Sequence, residues 1–354
     1  MFEKIFINSP LSPKHMRSIS SILSSNQTLA LLSTSSSSSA KIFDKRIKRL
    51  QRDKVISSTS DCFDYLKDEV AFRVADKIFD IKRRFPVIVD LGSYKGLIGT
   101  HLTKDIVDCL IHCSSSIKSL NVIEPRSDIE IQRILMNEEN FLMPENSIDL
   151  IVSSLDLHWI NDLPKLFTQV NYSLKEDGVF IGSMFGGQTL YELRCSLQLA
   201  ETEREGGFGL HVSPLITPQD IGSLLNRTNF TLLTIDTDEI IVHYPSIFEL
   251  MYDLKGMAEN NCTYRAKKHL HRDSLLAAAS IYQHLYSNYS NEKNNNSQMN
   301  GIPATFQIFY FIGWKPHPSQ PKPAKRGSAS ISIKEIPNLE KLFNHSDNDS
   351  ANKS

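Results

Sequence analysis

Pro86-Val87-Ile88-Val89-Asp90-Leu91-Gly92-Ser93-Tyr94-Lys95-Gly96 is the stretch on which the reading of this chain turns. Its first half is a short apolar run closed by an acid, with the length and flanks of a strand buried in a parallel sheet. Its second half sets two glycines ahead of a segment with helical composition. Glycine lets a backbone approach a ligand closely, and the first turn of a helix offers N–H groups without an internal partner. Asp90, Gly92 and Gly96 are therefore the first candidate cofactor contacts. Taken alone, the turn is also an ordinary strand-to-helix connection with a structural glycine.

Working outward, a helix is predicted from about Lys95 to Cys109. Leu120-Asn121-Val122-Ile123-Glu124 reads as a second apolar run closed by an acid, and Glu124 becomes the candidate acceptor for ribose hydroxyls. Ile148 to Ser154 reads as a third strand, Leu166 to Leu174 as a helix, and Val179 to Met184 as the next strand. Such alternation implies βαβ units, a mostly parallel doubly wound α/β sheet with helices on both faces. Ligands of such sheets bind beyond the carboxyl ends of the strands, where Asp90, Glu124 and the residues after Ser154 are expected. Residues 43–84 have apolar spacing suited to helices packed before the sheet. Later strands are predicted at Thr231–Ile235, Glu239–Tyr244 and Thr305–Gly313. Residues 186–230 interrupt the alternation and are read as a helical lid with glycine hinges. The Asn/Ser-rich stretch 287–300 reads as a loop and 342–354 as a polar tail.

Composition narrows the function classes. The 354 residues are 40% apolar and 22% charged, which suits a globular domain with an insertion. A formal net charge of -1 gives no reason to expect a nucleic-acid partner. That total hides an asymmetry: residues 1–53 carry nine Lys or Arg against three acids, and the rest carry 30 against 37. Residues 1–40, basic and serine-rich with a single acid, have the composition of a mitochondrial transit peptide; a serine-biased tail is the plain alternative. No run approaches the roughly 18 apolar residues of a membrane span, so membrane association would be peripheral. The five cysteines are too scattered for a disulfide framework and read as buried thiols.

Several side chains could carry chemistry. His158 and Trp159 follow the third strand at the ligand edge, where the imidazole could act as a base and the indole could pack on a cofactor or substrate. Glu201, Glu203 and Glu205 form a candidate arginine-binding group, because carboxylates engage guanidinium through paired hydrogen bonds. Internal pairing with Arg194 or Arg204 is the alternative. His211 is a further catalytic candidate. His158, His211 and Asp156 nominally match a two-histidine, one-carboxylate iron site, but their spacing cannot be read from sequence and no metal site is assigned.

A narrower identification comes from longer runs. Ser153-Ser154-Leu155-Asp156-Leu157-His158-Trp159-Ile160-Asn161-Asp162-Leu163-Pro164, Thr189-Leu190-Tyr191-Glu192-Leu193-Arg194, Glu201-Thr202-Glu203-Arg204-Glu205-Gly206-Gly207-Phe208, Asp236-Thr237-Asp238-Glu239-Ile240 and Ile312-Gly313-Trp314-Lys315-Pro316 carry it. With them the chain resembles the S-adenosylmethionine-dependent methyltransferase superfamily. Within that, it resembles the methyltransferase-like assembly factors of mitochondrial respiratory complex I, over roughly 43 to 337. The resemblance implies a class I methyltransferase-like (Rossmann-like) domain over 43–330. It also implies a matrix protein, peripheral to the inner membrane, that acts on a complex I subunit or assembly intermediate by hydroxylating an arginine. Methyl transfer or non-catalytic scaffolding are the alternatives. S-adenosylmethionine is the implied cofactor, with Asp90, Gly92, Gly96 and Glu124 at its positions and Asn137 and Glu138 near the adenine. The sequence names no oxidant or metal for hydroxylation. Tyr94, Ser93 and Asn137 depart from the family's glycine, cysteine and aspartate. A tyrosine at 94 needs an outward rotamer, or it crowds the methionine portion of the cofactor.

Overall fold

The computed structural model describes residues 41–57, 61–267, 269–287, 301–322 and 326–328. The expected transit peptide, tail and all but the first residue of the 287–300 loop lie outside them. Seven strands form one sheet: β1 (Phe85–Leu91), β2 (Val107–Ser114), β3 (Glu130–Leu135), β4 (Ile148–Ser154), β5 (Leu174–Phe185), β6 (Thr231–Tyr244) and β7 (Ile302–Trp314). Their order is β3-β2-β1-β4-β5-β7-β6. All neighbours are parallel except β7, which runs antiparallel to β5 and β6. The strand order reverses between β1 and β4, which opens a crevice beyond their carboxyl ends. The described residues up to Pro316 form one compact unit.

Successive strand residues point to opposite faces, and each face is apolar. Ile88, Leu150, Ile181 and Ile308 face one core, shared with Leu66, Val70, Val74 and Ile78 of α2 (Tyr65–Asp80). Val89, Ile151, Phe180 and Phe309 face the other, shared with Leu166, Phe167 and Val170 of α5 (Leu163–Ser173). The doubly wound α/β architecture expected from sequence is therefore present. Ahead of it lies α1 (Lys45–Ser57), and between β1 and β3 lie two short helices, α3 (Leu97–His101) and α4 (Ile117–Val122).

Two sequence expectations are corrected here. The helix predicted from Lys95 to Cys109 shrinks to α3, and the second strand lies earlier than expected. Val107–Ser114 pairs with β1 in the register Ile88↔Leu110 and Asp90↔His112. The Leu120–Glu124 run belongs instead to α4 and the loop after it. The Ser116 side chain accepts a hydrogen bond from the Ser119 N–H and starts a helix. Leu120 and Ile123, three apart, then share its buried side, while Val122 is exposed. Glu124 is consequently an exposed loop residue and not the end of a strand.

The expected lid splits in two. α6 (Tyr191–Glu205) packs against α9 (Arg272–Tyr286), and the buried Glu192 carboxylate accepts from the Thr305 N–H of β7 at 3.3 Å. α7 (Pro218–Arg227) opens with a Thr217/Asp220 capping box and buries Ile221 and Leu225 in the second core, as an ordinary crossover helix does. Only the region from Gly186 through α6 to Leu215 keeps a lid-like position. The two later strand runs merge into the single strand β6, with a register shift between Thr231 and Thr234. The remaining helix is α8 (Ile247–Gly256). Among the described residues no helix is long and apolar enough to cross a membrane.

Candidate active site

Gly92 and Gly96 adopt φ of +78° and +74°, conformations that favour glycine, at the carboxyl end of β1. Neither faces open space. A Cβ on Gly92 would lie 2.3 Å from Asp156 Oδ2, and one on Gly96 would lie 3.1 Å from the Ile123 side chain. Asp90 is buried and bonds His112 Nδ1 at 2.9 Å, which also contacts Ser93 Oγ at 3.0 Å. The strand beside it ends in Ser114-Ser115-Ser116, without an acid. Glu138 is buried over that end: its Oε1 accepts from the Ser115 N–H at 2.9 Å, and Lys45 lies 3.9 Å from its Oε2. Ser116 Oγ donates to Asp53 of α1.

Tyr94 does not point outward. It is buried against Val55 of α1 and Ala258, and the Lys67 ammonium lies 4.0 Å from its ring centre. The cavity left between Lys67, Asp90, Gly92, Tyr94 and Ser154 measures about 20 Å³. That is room for about one water molecule. The residues present do not fit the adenosine and methionine portions of S-adenosylmethionine in this cleft.

α1 supplies most of what fills it. Asn161 Oδ1 accepts from the Ile42 and Phe43 N–H groups at 2.8 and 2.7 Å and anchors the chain just before the helix. Lys48, Arg52 and Val55 then face inward at helical spacing. Arg52 pairs with Asp156, both buried. Burial works to raise the Asp156 carboxyl, but the Arg52 and Lys45 charges hold it below the usual carboxylate range. Lys48 Nζ donates to the carbonyls of Ala258 and Asn260 at 2.8 and 3.1 Å and sits 3.4 Å over the Trp159 ring. Burial pushes its ammonium down to about 7, against the pull of Glu259.

Glu259 is the centre of the second feature. Lys67 Nζ lies 2.9 Å from its Oε1, and its Oε2 accepts from Trp159 Nε1 at 2.9 Å. Burial opposes its ionisation, but Lys67 and Lys48 hold it well below the usual range. His158 Nε2 stands 3.3 Å from the same Oε2. Burial lowers the imidazole pKa by more than Glu259 raises it, so the ring is neutral near pH 7. An ionised carboxylate only accepts, which places the single ring proton on Nε2 and leaves Nδ1 as a bare acceptor. Nδ1 is buried and has no hydrogen-bond partner among the described residues.

His158 and Glu259 line a cavity of about 170 Å³ beneath α6. Its walls are mainly apolar, including Phe185, Leu193, Leu197, Leu254 and Phe306, with Ser213, Asn260 and Asn261 among its few polar groups. An enclosed cavity near 150 Å³ takes a small ring or a short aliphatic chain. A second cavity of about 140 Å³, with Arg194, Gln198 and Gly209 in its walls, shares Leu197, His211, Val212 and Ser213 with the first.

The structure brings His158 and His211 to one cavity but leaves Glu203 outside. Glu203 is exposed near the end of α6, 3.9 Å from Arg204, and lines neither cavity. Two of the three candidate arginine-binding glutamates, Glu201 and Glu205, sit in an internal network. Glu201 Oε1 meets His211 Nε2 and Lys267 Nζ, each at 2.7 Å, and Lys267 also reaches Glu205. Asn137 is exposed and accepts from the Glu139 N–H. Trp159 is covered in part by Phe43 and Lys48 and also lines the cavity beneath α6. Among the described residues no group of three or more His, Cys, Asp or Glu is arranged to hold a metal ion. Sequence reasoning missed Glu259, Lys67 and the inward face of α1. The spacing of Lys48, Arg52 and Val55 was a signal for the last, masked by the general rule that a dense charged helix is solvated.

The sequence family described as a methyltransferase domain matches residues 59–235. The protein named "Arginine-hydroxylase NDUFAF5, mitochondrial" from Rattus norvegicus is 51% identical over 300 residues, covering 84% of this chain and 84% of its own. The protein of the same name from Homo sapiens is 48% identical over 305 residues, covering 85% of each. Among solved structures, phosphoethanolamine N-methyltransferase 2 of Haemonchus contortus, in complex with S-adenosyl-L-methionine, matches with a TM-score of 0.39. Its identity is 14%, over 68% of this chain and 53% of that one.

Proposed function

We propose, since this chain belongs to the methyltransferase-domain family of the mitochondrial arginine hydroxylases, that it hydroxylates an arginine side chain of a matrix-facing complex I subunit during assembly. It acts in the mitochondrial matrix, peripherally at the inner membrane, after its first 40 or so residues have directed import. The observation that carries this reading is the identity of about half the aligned residues with proteins of that name, over most of their length. The cavity beneath α6 is what the geometry adds.

Replacing a carbon-bound hydrogen by hydroxyl requires an oxidant that amino-acid side chains do not supply, so a redox cofactor or metal serves the reaction. The chain's own residues do the rest. The apolar walls from Leu193, Leu197 and Leu254 accept the aliphatic stem of an arginine and exclude water. His158, its ring held by Glu259, stands in the cavity wall, where its imidazole is the candidate group for proton transfer. His211, held by Glu201, stands at the junction of the two cavities. Glu203 is assigned no role, and no step runs through the glycine cleft.

Mass spectrometry of complex I from cells lacking this chain, and from the same cells after its return, tests the reaction. One arginine is expected to lose, and then regain, the mass of a single oxygen. Loss of a methyl mass instead would select methyl transfer. Failed assembly with every mark intact would select scaffolding.

A further inference from the structure

We infer that helix α1 and Tyr94 are the built-in occupants of the glycine cleft and exclude S-adenosylmethionine from it in this chain. The inference goes beyond the proposed reaction and does not depend on it.

Three parts of the cleft are filled by different means. At the β1 turn, the Tyr94 ring is buried against Val55 and Ala258 with the Lys67 ammonium 4.0 Å from its centre. Over Gly92, where bare backbone would receive a ligand, stands the Asp156 carboxylate, held by Arg52 of α1. At the end of β2 the chain has Ser114, where a nucleotide-binding sheet has an acid for the ribose hydroxyls. The two carboxylates near that end belong to Glu138 and Asp53, and both are spent on the protein itself, at the Ser115 N–H and Ser116 Oγ. The remaining space, about 20 Å³, is an order of magnitude too small for a nucleoside.

A side-chain swing at Tyr94 alone does not open the site. Admitting a cofactor over Gly92 means withdrawing Arg52 and leaving Asp156 as a buried charge without its partner. That penalty weakens binding by on the order of a hundredfold or more. The glycine turn therefore persists as the seat of α1, and the methyltransferase-type fold survives without its donor.

Calorimetric titration of the full chain with S-adenosylmethionine and S-adenosylhomocysteine, to about 1 mM, tests this directly. No heat is expected, with no rise in thermal midpoint in either ligand. The same titration is run on a Tyr94→Gly, Ser114→Asp, Arg52→Ala, Asp156→Ser variant, in which the space and the ribose acceptor are restored together. This variant is expected to bind at least tenfold more tightly than the wild type. Saturable binding by the wild type below about 100 µM overturns the inference. So does a variant that keeps its circular dichroism spectrum and cooperative melting yet gains nothing. If the variant fails to fold, the wild-type titration still decides. The oxygen mark on complex I is a separate readout, so failure of one claim does not imitate failure of the other.

Discussion

Replacing Lys48 by methionine isolates the electrostatic cost of seating α1. The lysine is 2% exposed, and its ammonium is pushed from an ordinary 10.5 to about 7 by burial, with Glu259 only partly opposing. The folded pKa lies below the unfolded one, so between about pH 7 and 10.5 the unfolded chain binds more protons. Raising the pH in this window therefore stabilises the folded state. Integrated from pH 7 to 9, a single group shifted in this way contributes about 2 kcal/mol of added stability. Methionine keeps much of the packing over Trp159 and removes the titration. Glu259 remains paired with Lys67 at 2.9 Å and is ionised at both pH values, so it adds no compensating slope. Urea unfolding of both proteins at pH 7 and pH 9 is the assay. The wild type should gain about 2 kcal/mol more than the variant on going to pH 9. Equal gains would refute the placement of Lys48 as a buried, strained cation beneath the helix.

Arg52→Ala should cost about 3–5 kcal/mol, because it leaves Asp156 buried and unpaired; a double-mutant cycle with Asp156→Ala should recover a large part of the loss. In the wild type the stability from the Asp156 pair should be present above its ordinary carboxylate pKa and be lost as pH falls through the lowered folded value, which Asp156→Asn should flatten in acid unfolding. Gly92→Ala should lower stability by about 2 kcal/mol or more in thermal or urea unfolding, since φ is +78° and its Cβ would meet Asp156 at 2.3 Å. His158→Asn should leave a folded chain but reduce the oxygen mark on complex I, because the amide does not reproduce the imidazole that Glu259 holds in the cavity wall.

The sheet was legible in sequence where strands are buried on both faces. Ile148–Ser154 and the run before Gly92 are continuous apolar segments with turn residues at their ends, and no helix explains them better. The second strand was not, because Leu110, Ile111 and Cys113 merge with a segment that also scans as helical, while the Ser116 cap that starts α4 is a single hydroxyl. Glu124 was therefore assigned to a strand end that lies ten residues earlier, at Ser114. His158 and His211, which line one cavity, stand out in sequence because they flank a strand end and a glycine-rich segment. Glu259 was not, because its partners Lys67, Trp159 and His158 lie far away in the chain and only the fold brings them together. The three glutamates of α6 looked like a ligand-binding set, yet Lys267 captures two of them. Tyr94, a bulky residue in a glycine turn, leaves two readings open in sequence, an outward rotamer or a crowded cofactor, and α1 as its neighbour could not be read from spacing.

Two compartments emerge, a filled cleft over β1 and a larger cavity beneath α6, and arginine chemistry is assigned to the second. The most direct test rescues cells lacking this chain with Leu197→Trp, which fills the cavity where its two lobes join. Mass spectrometry then reads the single-oxygen mark on complex I. A variant that accumulates normally and unfolds cooperatively should leave the arginine unmodified. A full mark from that folded variant would contradict the assignment.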